Sequence, residues 1–189
     1  MARDHARLRL DIWSDPDWRD LPMQSQWLYT YLLSSPGLSY AGVADWRPRR
    51  IARFTKEGRA EDVELAAYYL EDPSDDRAPF LIIDRDSEEA LIRTFIRHDG
   101  IMGVPNVAIA CVKAWQDTAS ETLRQVIAWE VQHLYADRPE MPAFQDGAAS
   151  WTWLQEIIGY EVCDPRMAFH ELDPNPVAGK VQRALRGVQ

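Results

Sequence analysis

The chemistry this chain could perform is concentrated between Arg47 and Arg59. Arg47, Arg49, Arg50, Arg53, Lys56 and Arg59 stand there against one acid, Glu57, a local balance of +5. Residues 61–76 then carry Glu61, Asp62, Glu64, Glu71, Asp72, Asp75 and Asp76 with no base, a local −7. Arginine suits bidentate contact with phosphate, and each phosphate neutralised releases counterions. Arg49, Arg50 and Arg53 at i, i+1 and i+4 share one helix flank, opposite Ile51 and Phe54. Arg59 abuts the start of the next helix, whose first amides also favour an anion. The plainer alternative is a solvated face whose arginines pair with neighbouring acids.

Other reactive residues form weaker patterns. Glu130-x-x-His133 puts two ligand types on one helical turn, as in di-metal bundles, but no second such pair exists. A solvated helix face is the expectation there. His98-Asp99 reads as the polar exit from a strand, and His5 and His170 stand apart. Cys111 and Cys163 lack metal spacing and are expected as two free, buried thiols. No glycine-rich phosphate loop, nucleophile elbow or zinc spacing occurs. A non-enzymatic protein without metal or cofactor is therefore expected.

The 189 residues are 46% hydrophobic and 27% charged, an ordinary globular composition that excludes collagen-like and wholly disordered chains. No apolar run reaches the roughly 18 residues of a membrane span. Met1 to His5 contains no apolar stretch, so a cytoplasmic protein without signal peptide is expected. The net charge of −9 repels nucleic acid, so any such contact must rest on the local basic block.

These residues need elements to position them. Leu8, Leu10 and Ile12 alternate with polar residues, predicting a strand over 7–13. A helix is expected from Leu21, with Pro22 in its first turn and Trp27, Leu28, Tyr31 and Leu32 at helical spacing. A short strand follows at Tyr40–Ala44, then a helix capped by Asp45, with Pro48 early and Ile51, Ala52 and Phe54 inward. A third helix starts near Ala60 and buries Val63, Ala66, Ala67 and Leu70. Phe80–Asp84 and Ala90–Ile96 flank polar residues 85–89, predicting a hairpin. Pro105 opens a fourth helix. Thr118-x-x-Glu121 has the form of a capping box for a fifth, which carries Leu123, Val126, Ile127, Val131 and Leu134 inward. Residues 137–149 read as a linker, Trp151–Ile158 as a short apolar helix, and the tail from Asp164 as irregular.

Helix, short strand, two helices and a hairpin is the order of a winged helix-turn-helix. The expected class is α+β, mainly α, with a further helical segment: a winged helix over 1–100, two more helices over 101–137, and linker, Trp-rich helix and tail over 138–189. The chain resembles the winged-helix replication and DNA-binding proteins of actinobacterial phages. It is more distantly similar to the N-terminal domain of DnaD-type replisome organisers. The resemblance rests on Ile12-Trp13-Ser14-Asp15-Pro16-Asp17-Trp18, Gln26-Trp27-Leu28-Tyr29-Thr30-Tyr31-Leu32-Leu33, Ala41-Gly42-Val43, Arg47-Pro48-Arg49-Arg50, Arg93-Thr94-Phe95-Ile96-Arg97-His98-Asp99-Gly100 and Pro105-Asn106-Val107. It implies DNA binding during phage replication or its control, in the bacterial host cytoplasm.

The expected partner is double-stranded DNA, bound with little sequence preference through Arg47, Arg49, Arg50, Arg53, Lys56 and Arg59, with Arg85 at the wing tip and Arg93 on a wing strand. Glu61, Asp62 and Glu64 on the third helix oppose deep insertion into a groove. The alternative is an adaptor that binds a host or phage protein through that acidic helix and through Trp151, Trp153 and Leu154. A transcriptional repressor would add a homodimer on a two-fold site. Val177, Val181 and Leu185, with Lys180, Arg183 and Arg186, suggest a short helix formed on contact with DNA or protein, against a frayed tail.

Overall fold

A computed structural model describes residues 6–72 and 78–169. The amphipathic segment 177–186 lies outside them. The described chain is α+β and mainly helical. A short helix α1 (Pro16–Arg19) precedes α2 (Met23–Ser34), β1 (Val43–Asp45), α3 (Pro48–Ile51) and α4 (Ala60–Glu71). The strands β2 (Leu81–Asp84) and β3 (Glu89–Ile92) follow, then α5 (Phe95–His98), α6 (Pro105–Gln116), α7 (Glu121–Asp137) and α8 (Trp151–Ile158).

The three strands form one antiparallel sheet in the order β1-β3-β2, with Val43 opposite Leu91 and Leu81 opposite Ile92. Every residue from Leu81 to Ile83 and from Ala90 to Ile92 is buried, because both α4 and α7 pack on β2. This explains the unbroken apolar runs, which strands covered on both faces require. α2 lies on α4, while α6, α7 and α8 pack together beyond the sheet. One buried cluster runs from Trp18 to Ile157.

Gly42 lets β1 approach. Its φ of +83° is a left-handed conformation, its carbonyl accepts the Ile92 N–H, and a Cβ would lie 2.9 Å from the Phe95 Cβ.

Several expectations fail for local reasons. No strand forms over 7–13: Leu10–Ser14 is a 3₁₀ turn, and Leu10 is 86% exposed. The Asp15 carboxylate caps α1 by accepting the Asp17 N–H, and Pro16 starts the helix. That turn drives Trp18 into the core against Tyr29 and Phe80. Pro22 precedes α2 rather than entering it. Asp45 ends β1 instead of capping α3, whose N-cap is Arg47.

Phe54 points outward. α-helical pitch ends at Ile51, a 3₁₀ turn covers Ala52–Phe54, and Phe54 is 63% exposed against Tyr31. Thr118 does not cap α7. Its hydroxyl donates to the Ala114 carbonyl, while the Ser120 hydroxyl accepts the Leu123 N–H. Residues 137–149 include a 3₁₀ turn, Pro142–Phe144, that buries Ala143 and Phe144, the latter against Tyr135.

Candidate nucleic-acid interface

The basic block occupies α3, the 3₁₀ turn after it and the approach to α4. Ile51 and Ala52 anchor it in the core, and the intervening cations project outward. Arg49, Arg53, Lys56 and Arg59 are exposed and form no ion pair among the described residues. Arg47 donates from Nε to Glu88 at 3.2 Å and lies 3.8 Å from Asp45, which Arg50 approaches to 3.9 Å. These are solvent-exposed pairs, each worth about 0–1 kcal/mol, so an incoming phosphate can displace them.

Arg85 and Arg93 do not belong to this surface. Arg85 donates to both Glu71 oxygens, at 3.1 and 2.8 Å, and to Glu64 at 3.1 Å. It bridges two carboxylates that α4 carries toward the hairpin, leaving the trio one negative charge in excess. Burial nonetheless raises the Glu71 carboxyl above its ordinary value, with Arg85 opposing the shift. Arg93 donates to the Pro79 carbonyl and, at 2.8 Å, to Glu130. Both guanidiniums are committed inside the fold, where a buried carboxylate must be paired.

Glu130 is not on a solvated face. It is 1% exposed and takes Arg93 on one oxygen and Arg97 on the other. His133 stacks on Trp129 at 3.7 Å, and no metal-binding group of His, Cys, Asp or Glu occurs among the described residues. Nothing in the sequence pattern marks Glu130 as buried except its place one residue before Val131 and three after Ile127. Cys111 is buried, which pushes its thiol up to about 12, whereas Cys163 is half-buried; both are free.

The start of α4 offers no vacant anion site. The Asp62 carboxylate accepts the Arg59 N–H at 2.9 Å, and Glu61 adds a second negative charge to the first turn. Asp86 and Glu88 make the hairpin tip acidic and exposed. Cationic and anionic surfaces therefore meet near Arg59.

The tryptophan segment divides. Leu154 is fully buried in the core, and the half-buried Trp151 packs against it, on Tyr135 with ring centroids 5.5 Å apart. Trp153 alone remains outward, 39% exposed, with the Lys113 ammonium 5.3 Å from its ring centroid. No family model, curated protein or solved structure matches this chain.

Proposed function

We propose that the elements from α2 to β3 constitute a winged helix and that this protein binds nucleic acid without catalysing a reaction, in DNA replication initiation or its regulation. The observation that carries the reading is the outward set Arg49, Arg53, Lys56 and Arg59, whose side-chain charges form no ion pair among the described residues. Arg47 and Arg50 extend it once their weak pairs with Asp45 and Glu88 exchange for phosphate. The resemblance to phage winged-helix proteins supplies the replication context. The wing contributes shape, since its arginines are internally paired.

Binding is shallow and sequence-tolerant in this reading. The helix in the recognition position, α4, presents Glu61 and Asp62, which phosphates repel. Neutralising about four phosphates gives a log–log salt slope near −3.6 on duplex DNA. Fluorescence anisotropy with a labelled duplex at two salt concentrations tests this. Arg49→Ala/Arg53→Ala should weaken binding and flatten the slope by about 2. A wild-type protein that binds neither duplex nor single strand at low salt overturns the reading. The adaptor reading is then favoured by Trp153, the one exposed member of its segment's apolar anchors.

A further inference from the structure

Three aromatic rings lie beside the cationic ridge. Trp27 and Tyr31, one turn apart on α2, stack with centroids 5.5 Å apart and planes 19° from parallel. The Tyr31 ring then meets Phe54 at 5.0 Å, tilted by 43°. Phe54 ends this row and is the most exposed of its members, while Trp27 and Tyr31 are half-buried. Arg53 precedes Phe54 in the chain and Lys56 follows two residues later; burial raises the Tyr31 hydroxyl above its ordinary value, with the Arg50 charge opposing the rise.

Phe54 touches Tyr31 with one part of its ring and leaves 63% of its surface exposed, while Ile51 and Ala52 anchor the turn in the core. What Phe54 offers is a π-face beside Arg53 and Lys56, which form no ion pair among the described residues, and beside Arg50, whose pair with Asp45 at 3.9 Å is loose and exposed. Single-stranded nucleic acid has the matching chemistry: unpaired bases that stack on an aromatic ring, and a phosphate at each nucleotide. A duplex keeps its bases stacked inside and can use only the cations. The acidic first turn of α4, which opposes groove insertion, does not hinder a strand that follows the α3 ridge toward Tyr31.

We infer that Phe54, at the end of the Trp27–Tyr31–Phe54 row, is a base-stacking platform and that Arg50, Arg53 and Lys56 hold the flanking phosphates, making single-stranded DNA or RNA the preferred ligand. The inference rests on the proposed nucleic-acid function and refines its substrate class.

The experiment is an anisotropy titration of the full chain with a labelled oligothymidylate of about 12 nucleotides and with a mixed-sequence duplex of equal length. Wild type should bind the single strand more tightly than the duplex. Phe54→Ala should weaken single-strand binding about tenfold and leave duplex binding within about twofold. Phe54→Leu should behave like Phe54→Ala, and Phe54→Trp should retain or tighten single-strand binding. Because Phe54 is exposed, thermal melts of all three variants should match wild type. Duplex binding that equals or exceeds single-strand binding, or a Phe54→Ala variant that binds oligothymidylate like wild type, overturns the inference while leaving the general function standing. Failure of wild type to bind either ligand removes both.

Discussion

Arg97 donates from Nε to a carboxylate oxygen of Glu130 at 2.5 Å, joining α5 to the middle of α7. The other Glu130 oxygen takes Arg93, and Arg97 reaches on to Asp137 at 3.2 Å. A single carboxylate, itself 1% exposed, thus pairs with two arginines, and Asp137 supplies a second acid to Arg97.

Glu130→Ala should be the most destabilising of the charge-removing substitutions. It leaves Arg93 and Arg97 partly buried without their shared counter-ion, at a cost of about 3 kcal/mol. Urea denaturation followed by circular dichroism reads this as a lower midpoint with an unchanged slope.

Arg85→Ala and Arg53→Ala should separate stability from binding. Arg85 is held by Glu64 and Glu71, so its loss should cost about 2 kcal/mol of stability and leave nucleic-acid affinity unaltered. Arg53 is exposed and unpaired among the described residues, so its loss should weaken binding and leave the melting temperature within about 1 °C. Paired melts and titrations on the two variants check the dissociation.

Gly42→Ala should lose about 2 kcal/mol, since the new Cβ needs a left-handed backbone and meets Phe95 at 2.9 Å and the Ile92 carbonyl at 3.1 Å. Gly37→Ala is the control. Its Cβ would find no atom nearer than 3.8 Å, so the change should stay within about 0.5 kcal/mol.

The start of α7 distinguishes two capping schemes. Ser120 accepts the Leu123 N–H, and the Glu89 carboxylate from β3 accepts the N–H groups of Ala119 and Ser120, at 3.0 and 2.8 Å. Ser120→Ala should cost about 1 kcal/mol. Thr118→Ser, which keeps the hydroxyl bond to the Ala114 carbonyl, should cost less than about 0.5 kcal/mol. Chemical denaturation reads the Ser120→Ala loss, which a cap at Thr118 would not produce, with Thr118→Ser as the near-neutral control.

Acid sensitivity should run through Asp84. Burial pushes its carboxyl up, but hydrogen bonds from the Ser120 hydroxyl and from the Ser87 and Asp86 N–H groups outweigh this, and it lies below the ordinary 3.8. A carboxyl depressed on folding stabilises the fold above its unfolded value, and that contribution is lost as pH falls through the folded value. Stability measured from pH 5 downward should therefore drop below about 3.8 in wild type and fall less steeply in Asp84→Asn.

Helix existence was legible wherever apolar periodicity was long. Val63, Ala66, Ala67 and Leu70 on α4, and Leu123 through Leu134 on α7, are buried as their spacing requires. The hairpin was legible in Leu81–Ile83 and Ala90–Ile92. Misreadings arose where a short-range device overrode the pattern. The Asp15 cap replaced an alternating strand, and a 3₁₀ turn expelled Phe54. At the site, the Arg49–Arg59 ridge follows from composition and spacing. The internal roles of Arg85 and Arg93 do not, because Glu71 and Glu130 reach them across 14 and 37 residues of chain.

Glu89 and Glu130 together fasten the sheet region to α7 at two separate points, its beginning and its middle. A hairpin so moored cannot swing as a hinged flap when a ligand arrives. Amide exchange in β3 and α7 should therefore slow and quicken in step, as one cooperative block.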